Sequence, residues 1–518
     1  MSSYALKPWL NLYQIPHTLP EDAITVIEGF EQCVRRAPES PAIYYFDEVI
    51  SFAQLDARAK RFAGQLAAWG IGKGDRVALW IQNDPQFAAA QVGAWMRGAI
   101  VVPLNPMFKA KELEFHLADS GAVVLVCEKT PPPSIVVDHI LTLAAFDALP
   151  PSSSDVRVPV SADDTAYLVY TSGTTGNPKG AIILHRNVAF NVEVFRQWMR
   201  LGPGDVILGL APLFHVTGLV PQLAASAMLG LPLVLFHRFN AAEALRLAAK
   251  WRATFCVAAI TAYIALMNEP GERQPFVAKC YSGGAPVAPS LSKRFEAQFG
   301  TYIHNIYGLT ESTSPSHATP MGVRGPVDPT SGALSIGVPI PNCEAVILSL
   351  EDPDREAAIG EAGELGLRGP MMFPGYWNRP EESAKAFHGG FFRTGDVAIM
   401  DELGWFYIVD RKKDMIVASG FKVWPREVED VLYQHPAVRE AAVIGVPDEY
   451  RGETVKAYVA LREDYASRVT DAEIIHFCKD RMAAYKYPRQ VEFVDQIPKT
   501  ASGKFMRRAL RTVTSAHS

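Results

Sequence analysis

Tyr170-Thr171-Ser172-Gly173-Thr174-Thr175-Gly176-Asn177-Pro178-Lys179-Gly180 follows a short apolar run, Ala166-Tyr167-Leu168-Val169, that reads as a strand. Its three glycines let the backbone fold so that successive N–H groups converge, which makes a nest for an anion. The serine and threonine hydroxyls add donors, and Lys179 adds a compact positive charge suited to phosphate. An ordinary polar hairpin turn rarely stacks this many hydroxyls, glycines and a lysine, so phosphate binding is the better reading. The spacing does not fit the Gly-x-x-x-x-Gly-Lys-Ser/Thr loop of other nucleotide binders.

Outward from this segment, the first third of the chain alternates helix and strand. Ser51 and Gln54 form a capping box, in which each side chain satisfies an orphan backbone N–H. Leu55, Phe62, Leu66 and Trp69 then share one helical face, and Gly70 is placed to end that helix. Strands follow at Asp75 to Ile81, Ile100 to Val102 and Val123 to Val126, with helices at Gln86 to Trp95 and Ala110 to Ser120 between them. Such alternation predicts an α/β fold with a mostly parallel sheet and helices on its faces. The proline runs at Pro131 and Pro150 read as surface connections around a small strand unit. From Thr301 to about Asp410 the texture becomes short strands punctuated by Gly and Pro, a β-rich subdomain. Between Pro425 and Tyr487 it turns compact α+β, with helices at Arg426 to His435 and Asp471 to Arg481 and strands at Ala441 to Ile444 and Val455 to Leu461. A chain of 518 residues exceeds the size at which one core keeps growing, about 250–300 residues. A large N-terminal domain, residues 1–410, followed by a small C-terminal domain, residues 411–518, is the expected partition.

Composition excludes several classes. A 48% hydrophobic content rules out a mostly disordered chain. Lys plus Arg number 50 against 55 Asp plus Glu, so bulk charge does not predict nucleic-acid binding. The six cysteines are scattered with no Cys-x-x-Cys pair, which argues against a disulfide scaffold or structural zinc and for a reducing, cytoplasmic setting. The N-terminus lacks the basic start and apolar run of a secretory signal. Val206 to Phe236 carries no Asp, Glu, Lys or Arg and has the length of a membrane span, for which about 20 apolar residues suffice. Prolines, glycines, His215 and Gln222 divide it, and a buried loop, helix and strand are expected there instead. Peripheral membrane association stays open, as does the oligomeric state, with a homodimer entertained.

The segment 170–180 resembles the signature loop of the adenylate-forming superfamily: acyl-CoA synthetases, luciferases and the adenylation domains of peptide synthetases. Four further segments match that pattern in order. They are Tyr307-Gly308-Leu309-Thr310-Glu311-Ser312, Phe392-Arg393-Thr394-Gly395-Asp396, Gly404-Trp405-Phe406 with Asp410-Arg411-Lys412-Lys413-Asp414, and Pro498-Lys499-Thr500-Ala501-Ser502-Gly503-Lys504. The resemblance is strongest to bacterial-type fatty acyl-CoA synthetases and implies ATP, Mg2+ and CoA as cofactor and co-substrates. It implies that Thr171, Ser172, Gly173, Thr174, Thr175, Gly176 and Lys179 bind the ATP phosphates, and that Thr310 contacts the α-phosphate. By the same resemblance Glu311 holds magnesium, a task that suits a carboxylate facing a hard cation. Tyr307 and Gly308 would pack at the adenine, with Gly283, Gly284 and Ala285 as the flat strand end beneath it. Asp396 would accept bonds from the ribose hydroxyls with Arg411 assisting, since a carboxylate is an acceptor-only group able to take two. Lys504 would neutralise the charge that develops when a carboxylate attacks the α-phosphate. The C-terminal domain would be a mobile lid turning about Lys413 between the two half-reactions. Gly420 and Lys422 would then face the thiol.

His215, in Pro212-Leu213-Phe214-His215-Val216-Thr217, matches a position that lines or gates the acyl pocket; a satisfied core histidine is the bland alternative. Amino-acid-activating relatives usually carry Phe-Asp there, so Phe214-His215 counts against amino acids. Walls from Phe214 to Thr217 and from Gly283 to Ala285 offer no countercharge, which favours an apolar monocarboxylate such as a medium- or long-chain fatty acid. Cys256-Val257-Ala258-Ala259-Ile260-Thr261 departs from the Val-Pro-Pro often found at that strand end, so close transfer of a substrate is in doubt. One methylene in such a pocket is worth only about 1–3 kcal/mol, and motifs do not resolve chain length. An aryl-acid ligase of the coumarate or benzoate type, a synthetase loading a carrier protein and a silent regulator on the same fold are the other readings. The presence of Lys504, Glu311 and Asp396 together weighs against a silent relative. A nucleic-acid tail at Lys504, Arg507, Arg508 and Arg511 lacks interleaved stacking aromatics beyond Phe505. Lys504→Ala is expected to suppress adenylation while thiolysis of a preformed acyl-adenylate continues. Single-turnover assays of the two half-reactions check this, and a wild-type adenylation rate would remove Lys504 from the chemistry.

Overall fold

The computed structural model describes residues 4, 6–21, 24–152, 156–171, 177–271, 275–411, 414–418, 421–448, 451–465, 468–500, 505–507 and 509–510. Ser172, Gly173, Thr174, Thr175, Gly176, Lys413, Gly420 and Lys504 lie outside the described residues, and Arg411 and Lys422 are described in their backbone only.

The helix–strand alternation builds a six-stranded sheet in the order His139–Thr142, Val124–Cys127, Arg76–Trp80, Ile100–Pro103, Thr165–Thr171, Lys179–Leu184. The first five strands are parallel, and the last turns back antiparallel on Thr165–Thr171 across the glycine-rich segment. Helices Pro85–Met96 and Ala110–Ser120 connect strands of this sheet, and helix Phe52–Ala68 leads into it from the strand Glu48–Ser51 of a second sheet. The expected capping box is formed, with the Ser51 and Gln54 side chains each accepting from the other's backbone N–H. A second, nine-stranded sheet carries the parallel strands Phe255–Ala258, Lys279–Ser282 and Ile303–Tyr307 side by side. The β-rich subdomain is an antiparallel sheet of Glu344–Ser349, Gly363–Arg368, Phe387–His388, Phe391–Met400 and Phe406–Arg411. The small C-terminal domain pairs Val438–Asp448 with Gly452–Leu461 as one long hairpin, flanked by helices Pro425–Leu432 and Asp471–Lys479. The architecture is the expected one: a large N-terminal α/β domain with a β-rich subdomain, then a small α+β domain.

The charge-free stretch is interior structure. Strand Ile207–Leu208, helical turns from Val216 to Leu229 and strand Leu233–Leu235 bury it against the core. No helix among the described residues is long and apolar enough to cross a membrane.

One helix, His185–Trp198, begins where the strand Lys179–Leu184 ends and is buried along most of its length. Its spacing puts Asn187 and Asn191 on one face, a turn apart. The Asn187 amide donates to the carbonyls of Pro370 (2.7 Å) and Met372 (3.1 Å). The Asn191 amide donates to those of Ser312 (3.1 Å) and Thr313 (2.9 Å). These carbonyls belong to irregular backbone that has no ladder partner, and burial without a donor would cost the full desolvation of each. Trp198 adds a bond from its indole N–H to the Thr319 carbonyl at 3.1 Å. Asn191→Ala is therefore expected to destabilise the N-terminal domain by about 1–3 kcal/mol for each carbonyl left without a donor. Denaturant unfolding followed by tryptophan fluorescence would read this; an unchanged midpoint would show that the two carbonyls find other partners.

Candidate active site

The three adjacent parallel strands run in register, Cys256 opposite Cys280 and Ser282 opposite Asn305, so their carboxyl ends open on one side. That is where ligands bind in open α/β sheets. Gly283 follows the middle strand. A Cβ there would fall 2.7 Å from the Ile306 carbonyl oxygen, so only glycine allows this approach, and Gly284 adopts φ +76°. Gly283, Gly284, Tyr307, Gly308 and Thr310 line one crevice, with His215, Val216 and Thr217 also on its walls. Phe214 and Ala285 are not among its lining residues; Val257, Ile306 and Leu309 are. Among the described residues its lining holds no Asp, Glu, Lys or Arg. His215 caps the short helix Val216–Gly218, its Nδ1 accepting the Thr217 N–H at 3.2 Å. The ring proton therefore sits on Nε2.

Beside this crevice, the Tyr307 hydroxyl donates to Asp396 Oδ2 at 2.7 Å. Asp396 is buried on Phe391–Met400, and Gly395 beside it takes φ +73°. Arg411 is the register partner of Asp396 on the neighbouring strand. Three residues singled out in separate motifs are thus brought together: Tyr307, Asp396 and, by backbone register, Arg411.

Next along the chain, where the sequence pattern implies phosphate binding, Thr310 and Glu311 occupy a 3-10 turn, Thr310–Ser312. Glu311 is buried, and its Oε1 accepts the Tyr376 hydroxyl at 2.8 Å. Burial first, then the Glu311 charge, holds the Tyr376 phenol well above its ordinary pKa, so it stays a donor. No group of three or more His, Cys, Asp or Glu gathers among the described residues to cage a metal. A single buried carboxylate is nonetheless the donor set that fits magnesium, which keeps several waters and takes substrate phosphates as ligands. Lys179 lies 2.5 Å from Glu382, which also lies 3.5 Å from Arg379. Arg379 in turn pairs with Asp119 at 2.7 Å, and Asp119 accepts the Tyr170 hydroxyl at 2.8 Å. Tyr170 and Lys179 are therefore both tied, through ion pairs, to one stretch of chain around residues 376–382. The sequence motifs missed Tyr376, Glu382, Arg379 and Asp119; no local spacing marks a tyrosine that meets its carboxylate 65 residues away.

In the C-terminal domain, Lys499 and Phe505, on either side of Lys504, form an antiparallel bridge. Lys499 pairs with Glu440 at 2.5 Å, and Arg507 grips both oxygens of Glu429 at 3.1 and 2.7 Å. Arg507 also lies 3.7 Å from Asp414. Lys422 stands opposite Val417 in the hairpin of Ile416–Ala418 with Phe421–Val423.

This geometry can be compared with known proteins. Residues 30–377 match the AMP-binding enzyme family, and residues 427–504 match the AMP-binding enzyme C-terminal domain. The chain belongs to the AMP-binding enzyme family. It is 36% identical to a long-chain-fatty-acid–CoA ligase of Bacillus subtilis, across 97% of each chain. It is 34% identical to a feruloyl-CoA synthase of an Amycolatopsis species, across 92% of this chain and 96% of that one. Among solved structures, an anthranilate CoA ligase in complex with anthranoyl-AMP superposes with a TM-score of 0.87 at 27% identity, covering 96% of this chain and 99% of that one. This family member is an AMP-forming acid:CoA ligase, an enzyme that uses ATP, magnesium and CoA.

The close approach at Gly283 gives a direct test of whether the ligase's nucleotide sits in this crevice. Gly283→Ala forces the strand end away from Ile306 and is expected to weaken AMP binding about tenfold, or about 1.4 kcal/mol. Isothermal titration with AMP checks it, and unaltered affinity would place the nucleotide elsewhere.

Proposed function

We propose that this ligase activates an apolar monocarboxylate, with a medium- or long-chain fatty acid as the acyl substrate. The observation that carries the reading is the crevice wall of Val216, Val257, Ile306 and Leu309, with no Asp, Glu, Lys or Arg in its lining among the described residues. The fatty-acid ligases, related across nearly the whole chain, support it. An aryl acid is the second reading, favoured by the feruloyl-CoA synthase.

In the first half-reaction a carboxylate oxygen attacks the α-phosphorus, a P–O bond forms, and pyrophosphate leaves. Tyr307 and Gly283 to Ala285 would seat the adenine, and Asp396 with Arg411 would hold the ribose. Lys179 and Thr171 to Gly176 would take the phosphates, and Thr310 the α-phosphate. Glu311 would hold magnesium, which supplies charge neutralisation on the phosphates when bound. Lys504 would add a positive charge where the two anions meet, which an attack between like charges requires. In the second half-reaction the CoA thiolate attacks the acyl carbon and AMP departs as the leaving group. With the domain boundary at residues 410 and 411, rotation about Lys413 would withdraw Lys504 and bring Gly420 and Lys422 to the thiol. His215 would line the acyl end of the crevice through its Nε2 face.

Pyrophosphate release over short to long aliphatic acids and benzoate to cinnamate types, each with and without CoA, tests the reading. Turnover is expected to peak on medium or long aliphatic acids and to need CoA. A peak on aryl acids would replace the substrate and keep the mechanism, and turnover with a carrier-protein thiol alone would replace the acceptor.

A further inference from the structure

A stretch of chain from Gly369 to Ser383 crosses both parts of the phosphate side. The Phe373 N–H donates to the Glu311 carbonyl at 2.9 Å. A few residues on, the Ile182 N–H donates to the Gly375 carbonyl at 3.1 Å, and the Trp377 N–H donates to the Gly180 carbonyl at 2.8 Å. Tyr376 itself is held by its N–H to Ser383 Oγ at 2.8 Å, and its ring packs edge-on against Phe373 with centroids 4.9 Å apart. Backbone bonds on both sides and a packed ring leave this side chain one direction. Its hydroxyl meets Glu311 Oε1 at 2.8 Å, while the Lys179 ammonium lies 5.1 Å from its ring centre.

We propose that Tyr376 is a positioning residue for the ligase reaction, orienting the Glu311 carboxylate toward magnesium and keeping Lys179 at a fixed separation from it. The inference rests on Glu311 being the magnesium ligand. Carboxylates that bind metals are aimed by the hydrogen bond their other oxygen accepts, and loss of that partner typically costs about 10–100-fold in metal affinity. A phenol serves because it donates without carrying charge, so Glu311 keeps its full negative charge for the metal. The ring separately attracts the lysine through its face. One side chain thereby sets the distance between a cation bound for phosphate and an anion bound for metal.

Tyr376→Phe isolates the first role, because it keeps the ring and removes only the donor. On the full chain, calorimetric binding of ATP at increasing Mg2+ and of AMP without metal separates the two. The half-saturating Mg2+ concentration is expected to rise about tenfold in Tyr376→Phe, at the low end of the range for a lost outer partner, while AMP affinity stays within twofold. In Glu311→Gln the Mg2+ response is expected to collapse, and adding Tyr376→Phe to it should change nothing further. A wild-type Mg2+ response in Tyr376→Phe, with Glu311→Gln impaired, overturns the role of Tyr376 alone. A wild-type Mg2+ response in Glu311→Gln overturns the assignment of Glu311 on which it rests. If Tyr376→Phe weakens AMP and magnesium-ATP in the same proportion, or binds neither, Tyr376 supports the fold and the proposal fails.

Discussion

Two asparagine amides on one buried helix hold the site together. The segments around Ser312, at the end of its 3-10 turn, and around Pro370 present buried carbonyls outside any strand ladder. Asn187 and Asn191 supply the missing donors from a single face of His185–Trp198. In a low-dielectric interior such bonds are strong, and an unmet carbonyl is costly, so the two segments have one place to sit. The same helix continues directly from the strand that begins with Lys179. Lysine, Thr-Glu turn and the Pro370 segment are thereby referred to one rigid rod, although they lie far apart in the chain.

The other half of the crevice is organised by sheets. Tyr307 ends a strand of the nine-stranded sheet, and Asp396 lies on the β-rich sheet; the bond between them joins the two where the nucleoside would lie. The rest of the crevice wall comes from the ends of the neighbouring parallel strands and the turn that His215 caps. Val257 and Thr217 lie on that wall and take no part in the Tyr307–Asp396 bond.

Local patterns in the sequence were readable where the physics is local. The capping box at Ser51 and Gln54, the helix Ala110–Ser120 and the helix–strand alternation appear as written, and Tyr307, which lines the crevice, bonds Asp396 from a separate motif. The sequence reading gives no helix at Val26–Arg36, although Thr25 and Glu28 form a capping box of the same kind and Val26, Ile27, Phe30 and Cys33 are buried along one face. The hairpin Val438–Asp448 with Gly452–Leu461 outruns the strands expected at 441–444 and 455–461. Gly445 and Pro447 look like breakers in sequence, but each strand supplies the other's partners and carries the ladder through them. Tyr376 and Asn191 were invisible for a different reason. Their partners are 65 and 121 residues away, and only the assembled fold makes them neighbours. The phosphate-loop residues Ser172 to Gly176 and Lys504 rest on the sequence pattern and the family, outside the described residues.

The strand Lys179–Leu184 is the last of its sheet, and its outer rim would otherwise present a row of open N–H and C=O groups. Such a rim is a template on which a second chain can add itself and start an aggregate. Here the segment through Gly375, Tyr376 and Trp377 occupies it, bonding Gly180 and Ile182 and bridging Ala181. The stretch that bonds the Glu311 carboxylate is also what covers this border. With Tyr376 in the role proposed for it, a chain that loosens there would lose its reaction and its resistance to self-association together.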